Sequence, residues 1–504
     1  MTKEYFAYGS VLEALSSGLY PDKRHVIREF VQNAFDALNT WGGASGGQLL
    51  KPIEIRIQKP SVLIADQGIG MNEREAQQFR YLGYSSKDRK DNVGFRGIGK
   101  DSGLAVAEKI IVSTSQPGIP ERYTIVIDAQ SMLEETASGR NPPLEEVLEK
   151  YTGVTSAPED GDSHYTFVEL HNIRKDAYIL FNTDALKDYL RRNCPIPFDP
   201  EFRYAGEVAA RLKTYIPAFS AVDIKLNGEN LYKPFPENYT GPEYEPVFLN
   251  DEEDATLIAY CWYCGHAEKG QFDHKENSGL IYRIRNFAVG DRHLTRKTLW
   301  TATPERAFYF FGEIHVLNER IIPSSDRTDF EDNEERTILF QRCRRIAQVL
   351  SKRAGTESAE RTFDESIAAA GGLISGREAK LKEMEIPVEV KPEVEYKIRR
   401  TVEDLEKRIE RTVRKREPSI KDIELVNRGV NVVERAKGLL RRMESKEGFT
   451  DIREKIDLNE QARQVYQVVV NCLKEEFSFD PARLERVISK INNALADFFK
   501  RPEV

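Results

Sequence analysis

Glu29-Phe30-Val31-Gln32-Asn33-Ala34-Phe35-Asp36-Ala37 is the stretch from which the rest of this 504-residue chain is best read. Glu29, Asn33 and Asp36 stand at i, i+4 and i+7, so a helix through them carries all three on one face. Phe30, Val31, Ala34 and Phe35 would dock the rest of that helix on a core. A carboxylate one turn from a carboxamide can hold a metal ion and orient a water. An ordinary amphipathic helix would show a similar face, so its meaning rests on two glycine-bearing segments further along the chain.

The first is Val62-Leu63-Ile64-Ala65-Asp66-Gln67-Gly68-Ile69-Gly70-Met71, an apolar run that reads as a buried strand ending at a tight Asp-Gly turn. Glycines supply positive φ there and let backbone approach a ligand. In the second, Gly94-Phe95-Arg96-Gly97-Ile98-Gly99-Lys100 leads into an Ala/Leu-rich segment, Leu104 to Lys109. A glycine-rich loop opening a helix is an anion site, because free N–H groups and the helix dipole both favour phosphate. A dinucleotide-binding fold would place that loop directly after the first strand of a βαβ unit. Here a carboxylate-bearing helix and an Asp-Gly turn come first, which excludes it.

The three boxes E-x-x-x-N-A-x-D-A, D-x-G-x-G-M and G-x-x-G-x-G, in this order and spacing, resemble the GHKL (Bergerat-fold) ATPase superfamily. That superfamily includes gyrase, the heat-shock-90 chaperones, histidine kinases and MutL. The resemblance covers roughly residues 1–185. It implies an α+β chain: a Bergerat-type ATPase α/β sandwich, then a mixed α/β middle domain and a C-terminal helical region. His164 to Leu170 sits where the family places a Gly-Thr before a strand; Thr166 fits, and Tyr165 replaces the glycine.

Carried over residue by residue, the resemblance implies that Glu29 is the general base and that Asn33 ligates Mg²⁺ on the phosphates of ATP. Asp66 would accept from the adenine amino group with Thr166 in support. Gly68, Gly70 and Met71 would shape the nucleotide pocket, and Gly94, Gly97 and Gly99 would bring backbone amides over the phosphates. Asp36 would brace its helix. The segment Asn72 to Asn92 would form the ATP lid, where Ser85-Ser86-Lys87 resembles the Ser-Lys element of MutL- and MORC-like members. Lys87, Arg96 and Lys100 are candidates for phosphate contact, each with a solvated loop cation as its plainer reading.

Residues 186–365 read as the middle domain. Val222 to Gly228 alternates and ends in an Asn-Gly turn, Leu280 to Val289 is a second strand, and Phe311 to Val316 leads to Ile321-Ile322-Pro323-Ser324-Ser325-Asp326-Arg327. That order is similar to the heat-shock-90 middle domain, where an arginine from such a loop reaches the γ-phosphate. Arg327 matches it, with Arg320 in reserve; the plainer reading is a helix cap that leaves Arg327 exposed. Cys261-Trp262-Tyr263-Cys264 has metal-like spacing near His266 and His274, but the chain has no second such pair, and structural cysteines are expected.

Ala368-Ala369-Ala370-Gly371-Gly372 and Ser375-Gly376 read as a hinge opening a linker over 366–392. Residues 393–504 form the helical domain: Ile398, Val402, Leu405, Ile409 and Val413 keep helical spacing, Pro418 breaks a hairpin or short coiled coil, and Asp480-Pro481 splits two further helices. This part would serve dimerisation and partner binding, or simply pack on its own chain.

A hydrophobic fraction of 40% and a charged fraction of 31% suit a protein with a large solvated surface. No apolar run approaches a membrane span and no signal-peptide pattern is present, so a cytoplasmic location without membrane contact is expected. Five cysteines make no disulfide framework. The net charge of −8 argues mildly against general nucleic-acid binding, and Leu190-Arg191-Arg192 is too short for a basic patch.

The expected protein is a Mg²⁺-dependent, heat-shock-90-like ATPase, a homodimer acting on protein partners. The alternatives are a MutL- or MORC-like ATP-gated clamp on DNA and, more weakly, a histidine kinase, for which no helix with a phospho-acceptor His precedes the ATPase part. The Ser-Lys lid leans toward the clamp; Arg327 and the acidic balance lean toward the protein-acting machine. No acidic pentapeptide closes the chain, and the last domain does not resemble the chaperones' own in detail.

Overall fold

The structure is a computed structural model that describes residues 12, 20–44, 51–81, 99–137, 142–217, 219–252, 255–383, 386–445, 449–452, 456, 458–477 and 480–499. Two compact units divide at Ala354/Gly355.

The first unit begins with helix α1 (Arg24–Ala44), whose first turn is held by the Asp22 carboxylate accepting the Arg24 N–H at 3.0 Å. Val26, Ile27, Phe30, Val31, Ala34, Phe35 and Leu38 are all buried on it. They pack against an eight-stranded sheet in the order β5-β4-β3-β6-β2-β1-β7-β8. The strands are β1 (Ile53–Gln58), β2 (Ser61–Asp66), β3 (Ala107–Ser115), β4 (Glu121–Asp128), β5 (Thr152–Pro158), β6 (Tyr165–Ile173), β7 (Ile224–Leu226) and β8 (Glu229–Asn230). Alternation along β2 buries Val62 and Ile64, which sets the register that pairs Ile64 with Val168 and Asp66 with Thr166 on β6. Helix α2 (Glu73–Gln78) comes after the Asp-Gly turn and opens with a capping box between Asn72 and Glu75. Helices α3 (Ala129–Ala137) and α4 (Leu144–Tyr151) join β4 to β5.

Two sequence expectations change here. Gly99–Ala105 forms a 3₁₀ turn, and Ala107 onward is strand β3 instead of a continuing helix. β-Branched Ile110, Ile111 and Val112 pair better between β4 and β6 than they would stack in a helix. Ile224 and Leu226, read as part of the middle domain, instead extend the first sheet, with β7 parallel to β1. Asn227 (φ 51°) and Gly228 (φ 88°) make the tight turn into β8, and the Asn227 carboxamide oxygen accepts the Ile57 N–H at 2.8 Å.

Helices α5 (Thr183–Asn193) and α6 (Ala205–Tyr215) lead to a second sheet, ordered β12-β11-β13-β10-β9. Its strands are β9 (Glu243–Phe248), β10 (Leu257–Gly265), β11 (Gly279–Ile284), β12 (Phe287–Val289) and β13 (Phe310–Val316), with helix α7 (Arg292–Leu299) between the last two. β10 is buried on both faces. Ala259, Cys261 and Tyr263 enter one core, whereas Tyr260, Trp262 and Cys264 enter the other. The two cysteines of the C-x-x-C pair therefore lie on opposite faces of the strand, and both are free and buried.

Helix α8 (Glu334–Lys382) runs without interruption through Ala368–Gly372 and Ser375–Gly376, where the composition suggested a hinge. Its early residues Leu339, Phe340 and Cys343 belong to the core of the first unit. Later ones, Phe363, Ile367, Ala370, Ile374 and Leu381, belong to that of the second. This recurring apolar spacing buries a stripe, which outweighs the cost of about 1 kcal/mol per helical glycine. The second unit adds α9 (Lys391–Val413), α10 (Ile420–Glu444), α11 (Glu460–Glu476) and α12 (Pro481–Phe499). Ser419 and Asp422 form the capping box that starts α10 after the Pro418 break. A short parallel ladder of β14 (Ile386–Pro387) on β15 (Phe449–Thr450) lies in the same unit. Among the described residues, no helix is long and apolar enough to cross a membrane.

A continuous α8 makes a direct prediction. Nothing lies within 4 Å of a Cβ added at Gly372. Gly372→Ala should therefore raise stability by about 0.5–1 kcal/mol in urea denaturation; a hinge at this position would make the change neutral or destabilising.

Candidate active site

The predicted face of α1 forms one side of the site. Glu29 is 7% exposed and Asp36 is 4% exposed, with Asn33 half-buried between them. The 3₁₀ turn at Gly99–Ala105 crosses directly over this face. A Cβ on Gly99 would lie 2.5 Å from Glu29 Oε2, so a larger residue here would push the carboxylate from its present position.

The other Glu29 oxygen is engaged from far along the chain. Arg327 Nε donates to Glu29 Oε1 at 3.0 Å, and the two side chains are 13% and 9% exposed. Arg327 sits in the loop between β13 and α8 with φ 58°, a left-handed conformation that a non-glycine residue holds only when its surroundings impose it. The surroundings here are specific. The Arg327 N–H donates to the Ser324 carbonyl at 2.9 Å, and its own carbonyl accepts from Gly290 N at 2.8 Å. The Asp326 carboxylate accepts from the Ser324 hydroxyl at 2.6 Å and the Thr328 hydroxyl at 2.8 Å. Burial acts the other way on Asp326, but these hydrogen bonds outweigh it and hold the carboxyl below its ordinary range. Arg327 is thus neither on a helix nor exposed. Arg320, the reserve, lies on the surface paired to Glu335 at 3.0 Å with its side chain 81% exposed.

A second cluster forms where β2 and β3 end and β6 begins. Asp66, 5% exposed, accepts the Gly68 N–H at 2.8 Å. Gly70 has φ 70°, and a Cβ there would come within 1.8 Å of the Ser115 carbonyl, so the turn after Asp66 requires glycine. Thr166 stands opposite both Asp66 on β2 and Thr114 on β3. The Thr114 hydroxyl accepts from Met71 N at 3.0 Å, donates to the Tyr165 carbonyl at 2.9 Å and lies 3.2 Å from the Thr166 hydroxyl. Tyr165, standing where the family has glycine, turns its own hydroxyl to Glu159 at 2.9 Å.

The structure therefore brings together Glu29, Gly99 and Arg327 at one place and Asp66, Gly68, Gly70, Met71 and Thr166 at another, with Asn33 one helical turn from Glu29. The Lys100 ammonium instead donates to the carbonyls of Phe79 at 2.9 Å and Tyr81 at 2.5 Å, and burial lowers its pKa. Lys87, Gly94 and Gly97 lie outside the described residues, as do Arg96 and the Ser85-Ser86 element. Two neighbours escaped the sequence reading. Thr114 is a buried polar side chain at the inward position of β3 that Ile110 and Val112 also occupy, and only its place in that alternation could have signalled it. Tyr20 is buried close enough to Glu29 that burial first, and then the nearby carboxylate, raise its phenol well above the usual range.

The first sheet and the helix packed on it are similar to a GHKL-type ATPase domain. Residues 22–155 match the family described as "Histidine kinase-, DNA gyrase B-, and HSP90-like ATPase". The heat-shock-90 branch supplies curated relatives. The chain is 27% identical over 177 residues to the chaperone protein HtpG of Helicobacter pylori, covering 31% of this chain and 27% of that one. It is 31% identical over 196 residues to heat shock protein 90-5, chloroplastic, of Arabidopsis thaliana, covering 32% and 24%. It is 30% identical over 154 residues to heat shock protein 75 kDa, mitochondrial, of Rattus norvegicus, covering 26% and 22%. The matched stretch thus spans about a quarter of these relatives' length.

Thr114→Val removes a hydroxyl that serves three backbone and side-chain partners while keeping the shape. It should cost about 1–3 kcal/mol in chemical denaturation, because the Met71 N–H loses its acceptor. A loss below about 0.5 kcal/mol, the floor for a single hydrogen bond, would show that Thr114 does not organise this cluster.

Proposed function

We propose that this protein is a Mg²⁺-dependent ATPase of the heat-shock-90 kind, whose nucleotide state drives conformational change on protein partners. The observation that carries the reading is the contact between Arg327 and Glu29, which joins a loop of the second sheet to the hydrolytic face of the first domain. Asp66, at the buried end of β2, suits the adenine amino group as hydrogen-bond acceptor, with Thr166 and Thr114 in support. Asn33 and Glu29 suit the phosphate end, where Gly99 leaves room for close backbone approach. The donor set fits the nucleotide and a magnesium ion held by Asn33; that ion, when bound, neutralises charge on the phosphates.

The chain's own residues then act in order. Glu29, with one oxygen committed to Arg327, is poorly placed to polarise a water. The charge of a γ-phosphate competes for the guanidinium, drawing Arg327 across the site. Glu29 is then free to accept a proton from the attacking water, while Arg327 stabilises charge developing on the phosphoryl oxygens. One arginine thereby links the arrival of nucleotide to the position of the neighbouring domain. Matches to heat-shock-90 relatives and the net charge of −8 support a protein partner over DNA. Exposed Val465, Val468 and Val469 on α11, spaced to share one helical face, support a role for the helical unit in dimerisation.

Glu29→Ala should bind ATP yet lose hydrolysis, measured by nucleotide titration alongside phosphate release; retained turnover would refute the general-base assignment. Arg327→Ala should lower turnover by about 10-fold or more with little change in nucleotide affinity. An unaltered rate would leave the guanidinium without a part in the reaction. Salt-dependent DNA binding that appears only with a non-hydrolysable ATP analogue would favour the clamp reading instead.

A further inference from the structure

Beside the second sheet lies a cavity of about 410 Å³ that the ATPase reading does not use. Its size falls in the range of small-molecule sites. Part of its lining is aromatic: Phe198, Phe202, Phe235, Trp262 and Phe311. These rings pack on one another, Phe198 edge-on to Trp262 at 5.6 Å and Trp262 edge-on to Phe311 at 5.8 Å. Most of the rest is charged, and the charge does not balance.

Glu313, 4% exposed, is the buried acid of the cavity. It accepts from Lys233 Nζ at 2.9 and 3.1 Å, from Arg283 Nε, from Trp262 Nε1 at 3.2 Å, and lies 3.0 Å from His315 Nε2. One carboxylate thus serves two fully buried cations, and its acceptor positions are taken. The other acids of the lining are committed as well. Asp188 pairs with Arg192 at 2.8 Å, Asp291 caps α7 by accepting from His293 N and Leu294 N, and exposed Glu276 lies 3.3 Å from His274. Arg292 adds a half-buried guanidinium that donates to the Gly279 carbonyl, with no carboxylate at ion-pair distance among the described residues. Arg296, four residues on and sharing that helical face, lies over the Phe308 ring at 5.0 Å. Burial and the neighbouring Arg283 guanidinium both hold Lys233 below its ordinary range, as expected where positive charge is in surplus. A desolvated cation without a counter-ion is costly, and a bound anion relieves it.

We propose that this cavity is a second ligand site, separate from the nucleotide pocket, for a small aromatic anion. The ring of that ligand packs among Phe198, Trp262 and Phe311, and its single carboxylate or phosphate head lies at Arg292 and Arg296. The inference stands independently of the ATPase reading.

The test is calorimetric titration of the full chain, with and without ADP, using naphthyl phosphate and naphthoate. One saturable site per chain is expected for at least one of the two, and the tighter head identifies the natural anion. Neutral naphthol and inorganic phosphate should each bind at least about 10-fold more weakly, since each supplies only half of the recognition. Arg292→Leu and Arg296→Glu should each weaken binding by about 10-fold or more. The second replaces a partly exposed side chain with no ion-pair partner among the described residues, and it keeps the test valid if the first does not fold. Absence of saturable binding by either anion at millimolar concentration would overturn the proposal. So would competition by ADP, or unchanged affinity in Arg296→Glu.

Discussion

A carboxylate taken out of water needs a cation, and Glu29 is the place where this chain meets that requirement. It lies on α1 against the Gly99–Ala105 turn and is 7% exposed, where an uncompensated negative charge would cost several kcal/mol. The adjacent Arg28 does not serve it. That guanidinium donates to the Ala288 carbonyl and lies over the Phe287 ring at 5.8 Å. Compensation comes instead from Arg327, 298 positions later in the chain. The first domain's central helix is thereby joined to the second sheet twice: by Arg28 and Phe35 against β12, and by Glu29 against the Arg327 turn.

The second sheet shows the same principle with a different balance. Glu313 is also a buried acid, but Lys233 and Arg283 both pair with it while Arg292 in the same lining donates only to a carbonyl, so the surplus charge is positive. An acid held by one cation, as Glu29 is by Arg327, suits the proposed switch, because another anion can take that cation. A saturated acid such as Glu313 leaves cations over, and a cavity lined by them is prepared for an anion from outside. The same chemistry, one carboxylate and its cations, underlies the proposed switch in one place and the proposed binding site in the other.

Much of this was legible along the chain because its signals are local. Glu29, Asn33 and Asp36 share a helical face by spacing alone, and the glycines after Asp66 mark a turn that side chains could not make. The period of Ile398, Val402 and Leu405 and the break at Pro418 define α9 and α10 to within a few residues. Signals that compete were misread. Gly371 and Gly372 look like a hinge by composition, yet a buried stripe from Phe363 to Leu381 keeps α8 whole. Leu104 to Lys109 has helical composition, but its β-branched continuation has open strand edges to pair with on both sides. Ile224 and Leu226 alternate like any edge strand, and nothing in the alternation says which sheet they join.

The sequence by itself determined the three motif boxes, the helices of residues 393–504 and the identity of Glu29 and Arg327 as groups of interest, since each is carried by residue type and short-range spacing. Only the tertiary structure decided that Arg327 and not Arg320 meets Glu29, that Thr114 ties Met71 to β6, and that Lys233, Arg283 and Arg292 gather around a single acid. Those outcomes depend on distances between residues far apart in the chain, and burial alone decides which charges must find partners and which remain in water.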